Sequence, residues 1–163
     1  MSRIRVIGIG APWGDDQLGW RAAEALRMRY APHRVEVLTI DRPGPALIEY
    51  LSGAEYVLLL DAVWSGGPAG QLHCLDAAAL VALARPQALS HALGVAEAVA
   101  LAASLGTLPR ELYLLGVELE QATAGAPLSA AVTAALPTLV EAAQTKIAEW
   151  LKDISGPGPE TIH

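Results

Sequence analysis

The chain has only one cysteine, Cys74, so it can form no internal disulfide and build no cysteine-rich zinc site. That usage fits a reducing compartment, and a cytoplasmic location is expected. Positive charge is scarce: 11 Lys and Arg against 17 Asp and Glu leave a net charge of −6, which argues against binding to a phosphate backbone. Nucleic acid is therefore not an expected partner. No apolar run reaches the roughly 20 residues a membrane span requires. The longest, around 77–84 and 92–105, are short or interrupted by Glu97, so no membrane partner is expected. The opening MSRIRVIGIG meets Pro12 and the Asp15-Asp16 pair instead of a cleavage site, and is not read as a signal peptide. Internal repeats and linkers are absent, so residues 1–152 read as one domain and 153–163 as a flexible tail.

Hydrophobic residues make up 53% of the 163 and charged ones only 17%, which excludes disorder for most of the chain and points to elements buried on more than one face. A domain of this length buries roughly 70% of its unfolded surface. Residues 3–9 have the near-continuous apolar pattern of a strand covered on both faces, expected to be the central one. A helix is expected over 16–30, a strand over 35–40, a short helix over 44–52 and a buried strand over 56–60, with Asp61 where that strand ends. Residues 70–75 read as a weaker edge strand, possible in antiparallel orientation, and 77–84 as a helix. Ser90 can cap a helix over 91–105 that Gly106 closes, and 111–117 is the last strand. A long helix over 129–152 is expected to bend or restart at Pro137. Strands alternating with helices imply right-handed crossovers and a three-layer α/β/α sandwich on a mostly parallel, doubly wound sheet of about five strands.

In such sheets ligands bind where strands end and loops begin. Asp16, Asp61 and His91 fall at such places. One acid of the Asp15-Asp16 pair can cap the helix that follows. The other would then enter the crevice beside Asp61, where like charges raise each other's pKa unless a cation lies between them. His91, in a helix's first turn, would be kept neutral by the dipole and able to donate a lone pair. Two carboxylates and an imidazole suit a borderline divalent ion. The Gly8-x-Gly10 pair invites a dinucleotide reading, but position 13 is Trp13 instead of the third glycine, and two acids occupy the place a pyrophosphate would take. There is no Walker motif and no Gly-x-Ser-x-Gly elbow. Cys74 reads as packing, His33 and His163 as solvated, and Trp13, Trp20 and Trp64 either as core or as the rim of a peptide groove.

Four segments in order over most of residues 4–120 carry a resemblance: VIGIGAPWGDDQLGWRAAEAL, LLLDAV, SHALGVAEAVALAASLGTLP and ELYLLGVELE. Together they resemble the hydrogenase maturation peptidases, which trim the C-terminal extension of the large subunit of nickel-iron hydrogenases. Ala11 stands where that family usually has asparagine, in a turn one residue shorter, and Asp41-Arg42-Pro43-Gly44 replaces its usual Asp-Gly-Gly-Thr-like segment. The resemblance implies an endopeptidase, sometimes classed as aspartic-type, with no cofactor of its own. It would recognise nickel already inserted in a large-subunit precursor, through Asp16, Asp61 and His91, with cadmium or zinc able to substitute. The rivals are a non-catalytic metal-delivery or chaperone protein with the same three ligands, and a nucleotide-binding module of the same layered fold.

Overall fold

Every residue of Ile4–Gly10 and of Tyr56–Val63 is buried, as expected of strands with a helical layer on each side. A computed structural model describes residues 3–84, 91–120 and 125–156, except for the side chains of 91–93. The elements follow in the order β1 (Ile4–Gly10), α1 (Leu18–Arg27), β2 (Glu36–Asp41), α2 (Leu47–Leu51), β3 (Tyr56–Val63), β4 (Leu72–Asp76), α3 (Ala77–Leu83), α4 (His91–Leu105), β5 (Glu111–Glu118) and α5 (Ala130–Ser155). The strands form one sheet in the order β2-β1-β3-β5-β4, parallel except for the antiparallel β4–β5 pair at the edge. β3, not β1, is the central strand, because both β5 and β4 add on its far side. The predicted three-layer architecture and its antiparallel edge are present.

Side-chain alternation along the strands divides the core in two. Ile4, Val6, Leu58, Leu60, Leu115 and Val117 pack under α1 and α5, while Ile7, Ile9, Val57, Leu59, Leu112 and Leu114 pack under α2, α3 and α4. α1 lies unusually close to the sheet: a Cβ at Gly8 would stand 2.3 Å from the carbonyl oxygen of Gly19 in α1. A Cβ at Gly10 would stand 2.2 Å from that of Asp16. The Gly8-x-Gly10 pair thus serves the packing of a helix and a turn against β1.

Several boundaries differ from the sequence expectation. A 3-10 turn, Gly14–Gln17, precedes α1, which begins at Leu18 and ends at Arg27. Asp61 lies inside β3, because Ala62 and Val63 continue the ladder with Val117 and Glu118 of β5. α5 runs unbroken through Pro137 and does not restart there. It also continues past Lys152 to Ser155, since Ile154 still packs against the core. Residues 157–163, including His163, lie outside the described residues, as does Ser90. His33 is exposed, as expected. Cys74 is exposed too, contrary to its expected packing role, because β4 is an edge strand that the helices cover only partly. No described helix is long and apolar enough to cross a membrane.

Candidate active site at the switch point of the sheet

From β1 the chain turns outward to β2 on one side, whereas β3 leads to β4 and β5 on the other. The crevice between β1 and β3 is therefore the topological switch point, the usual ligand position in an open α/β sheet. The β1–β3 ladder stops at Gly8 and Leu60, while β3 goes on pairing with β5. Asp61, the next residue, thus stands in a strand held firmly on one side and open on the other. A cavity of about 210 Å³ occupies this opening, lined by Ile9 and Gly10 of β1, Asp16, Arg42, Pro43 and Gly44 after β2, Asp61, and Gly94 and Val95 of α4.

Asp16 and Asp61 are 2% and 4% exposed and share this cavity. The guanidinium of Arg42 donates a hydrogen bond to Asp16 Oδ2. Burial pushes the Asp61 carboxyl well above the usual carboxylate range. A hydrogen bond from the Ala62 main chain opposes this rise, the charge of Asp16 adds to it, and the charge of Arg42 opposes it. His91 is the first residue of α4, three and four positions before Gly94 and Val95, and its side chain lies outside the described residues. Among the described residues no three His, Cys, Asp or Glu side chains are grouped closely enough to hold a metal ion.

Asp15 does not cap α1, whose capping position is Gln17, with no side-chain capping bond. Fully buried, its carboxylate accepts from the main-chain N–H of Glu120 at 2.8 Å, from that of Ser129 at 2.7 Å and from the Ser129 hydroxyl at 2.9 Å. Ser129 in turn caps α5, accepting from Val132 N–H at 3.3 Å. Asp15 therefore ties the turn after β1 to the start of the last helix, helped by the positive end of that helix. Gly14 N–H donates to Ala126 carbonyl at 2.8 Å and strengthens the same tie. One acid of the pair is a brace, which leaves Asp16 facing the crevice.

Sequence reasoning passed over two residues here. Arg42 was visible only as a departure from a family pattern; its place in the cavity follows from β2 lying beside β1. Glu118, at the end of β5, is a buried carboxylate that accepts from Ser65 N–H at 3.2 Å, from the Ser65 hydroxyl, and shares a 3.0 Å hydrogen bond with His73 Nε2. It anchors the turn that carries Trp64, which is 54% exposed. Trp13 is 38% exposed on the loop after β1, whereas Trp20 donates its indole N–H to the Ile40 carbonyl at 2.9 Å. Of the three tryptophans near the acids, two are exposed and one braces β2.

The fold is a doubly wound α/β sandwich whose switch-point crevice holds two buried acidic side chains, Asp16 and Asp61. A sequence model of the hydrogenase maturation protease family matches residues 20–146. The chain is 32% identical over 154 residues to the hydrogenase expression/formation protein HupD of Bradyrhizobium diazoefficiens, covering 91% of this chain and 80% of that protein. It is 30% identical over 154 residues to HoxM of Cupriavidus necator, covering 90% and 75%. In structure it is similar to the hydrogenase maturating endopeptidase HybD from E. coli, with a TM-score of 0.78 and 26% identity over 90% of this chain and 93% of that one. The chain belongs to the hydrogenase maturation protease family and is an endopeptidase of that class.

Proposed function

We propose that this endopeptidase acts in the cytoplasm on the large-subunit precursor of a nickel-iron hydrogenase, removing its C-terminal extension after nickel has been inserted. Asp16, Asp61 and His91 would contact the nickel that the substrate brings. The observation that carries this reading is the convergence of Asp16 and Asp61, 45 positions apart, in one cavity at the switch point, which Gly94 and Val95 of α4 also line. Positions three and four apart on a helix share a face, which relates position 91 to Gly94 and Val95.

The chemistry follows from the charges. A buried pair of carboxylates is costly when both are ionised, and a divalent cation offsets that cost. Burial shifts Asp61 toward its protonated form relative to an exposed carboxyl, and a cation beside it shifts the balance back toward the carboxylate. Nickel held by the precursor accepts oxygen from both acids and nitrogen from His91, which fixes the scissile peptide beside them. The carbonyl is then polarised, a carboxylate takes a proton from water, the resulting hydroxide adds to the carbonyl carbon, and the C–N bond breaks as the leaving amine is protonated.

The test is intact-mass measurement of nickel-loaded precursor incubated with wild-type enzyme and with Asp16→Ala, Asp61→Ala and His91→Ala. Wild type should shorten the precursor and each variant, folded by circular dichroism, should not; nickel-free precursor should stay intact throughout. Near-normal cleavage by all three variants, or equal trimming of nickel-free precursor, overturns the reading. A precursor bound by wild type but never shortened would identify a chaperone instead.

A further inference from the structure

Arg42 follows directly on β2, and its main-chain N–H donates to the Gly10 carbonyl at 3.2 Å, so the residue stands over the end of β1. From there its guanidinium reaches the cavity and pairs with Asp16, beside Asp61. The two partners are very unlike. The Asp16 side chain is 3% exposed and fixed in the crevice wall, while that of Arg42 is 43% exposed, on a long flexible stem with an open route to water. A buried carboxylate left without counter-charge is strongly destabilising, so the arginine neutralises the crevice in the absence of any other cation. Its exposure lets the guanidinium exchange the carboxylate for water once another cation takes over the charge of Asp16.

We propose that Arg42 is a built-in counter-cation that holds Asp16 until a substrate-borne metal displaces it, so that the crevice discriminates against free divalent ions. The inference rests on the reading of Asp16 and Asp61 as groups that face the metal. A free ion must compete with a cation already tethered in place, and gains only the ligands of the crevice. An ion carried by a docked polypeptide competes at the high effective concentration that docking confers. Arginine suits the task better than lysine, being always charged, weakly hydrated and shaped to fork onto a carboxylate. Once displaced, the guanidinium moves into the solvent that it already touches.

The experiment is calorimetric titration of the full chain with cadmium ion alone, on wild type, Arg42→Ala, Arg42→Met, Arg42→Lys and Asp16→Ala. Arg42→Ala and Arg42→Met should bind cadmium about tenfold more tightly than wild type, and Arg42→Lys close to wild type. Asp16→Ala should abolish binding. Arg42→Met keeps the apolar stem and serves if the alanine variant fails to fold. If both neutral variants bind cadmium no better than wild type while Asp16→Ala loses binding, the displacement role is overturned and Asp16 still faces the metal. If neither wild type nor any arginine variant binds cadmium, the metal-facing reading falls, and the displacement role with it.

Discussion

Replacing Asp15 by alanine separates the two neighbouring acids by phenotype. The change removes a fully buried carboxylate that accepts two main-chain N–H donors, at 2.8 and 2.7 Å, and one hydroxyl, at 2.9 Å. Each donor left unpaired in the interior costs about 1–3 kcal/mol, so the two main-chain groups alone account for about 2–6 kcal/mol. Loss of negative charge at the N-terminus of α5 adds about 0.3–1 kcal/mol. Against a total stability of about 5–15 kcal/mol the variant remains folded but much weakened. At about 2–4 °C per kcal/mol for a chain of this size, a loss of roughly 2–7 kcal/mol lowers the melting temperature by about 4–28 °C. Thermal melts and urea titrations followed by far-ultraviolet circular dichroism measure this, and an unchanged urea slope assigns the loss to the native state. A melting temperature within about 3 °C of wild type would refute the reasoning, because the bonds from Asp15 would then not be holding α5 to the turn. Asp16→Ala, by contrast, is expected to reveal itself in processing.

Asp61→Asn should give a pH-dependent gain in stability. The folded protein holds the Asp61 proton more tightly than the unfolded chain does, so wild type loses stability as pH rises from the ordinary carboxylate range through the raised folded value. Asparagine carries no such proton, so the melting temperature of the variant relative to wild type should grow with pH and converge with it in acid; a constant difference would show that burial of this carboxyl is not penalised. Glu118→Ala should lower stability by about 2–4 kcal/mol, as charge-assisted bonds to Ser65 and His73 are lost. Limited proteolysis should then cut the turn at 64–71 faster, and unchanged cleavage there would show that Glu118 does not anchor Trp64.

The placement of Asp16 and Asp61 has a simple mechanical basis. β3 is held by β5 to its last residue but released by β1 three residues earlier, so a polar side chain at position 61 meets a gap in the sheet and not a ladder. The 3-10 turn at Gly14–Gln17 fits over that gap because Gly10 has no side chain to obstruct it. Asp15 then locks the turn to α5, and Asp16, one residue on, has only the crevice to face. Both acids are thus held on rigid elements at the rim of the crevice.

Much of this was written into local sequence. Apolar runs such as YVLLL and turn formers such as Ser65-Gly66-Gly67-Pro68 mark buried strands and their ends, since side-chain period and backbone preference act over a few residues. From these came the order of elements, the three layers, the antiparallel edge and the expectation that Asp16 and Asp61 meet. What depends on which strand lies beside which was not legible there. That Asp15 braces a helix 114 residues away, that Arg42 pairs with Asp16, that Glu118 gathers Ser65 and His73, and that β3 takes the centre are all consequences of sheet order and register. The amino-acid pattern determined the kinds of elements and the chemistry they carry; the tertiary fold decided partners, because a buried carboxylate takes whichever donors the neighbouring strands and loops bring within reach.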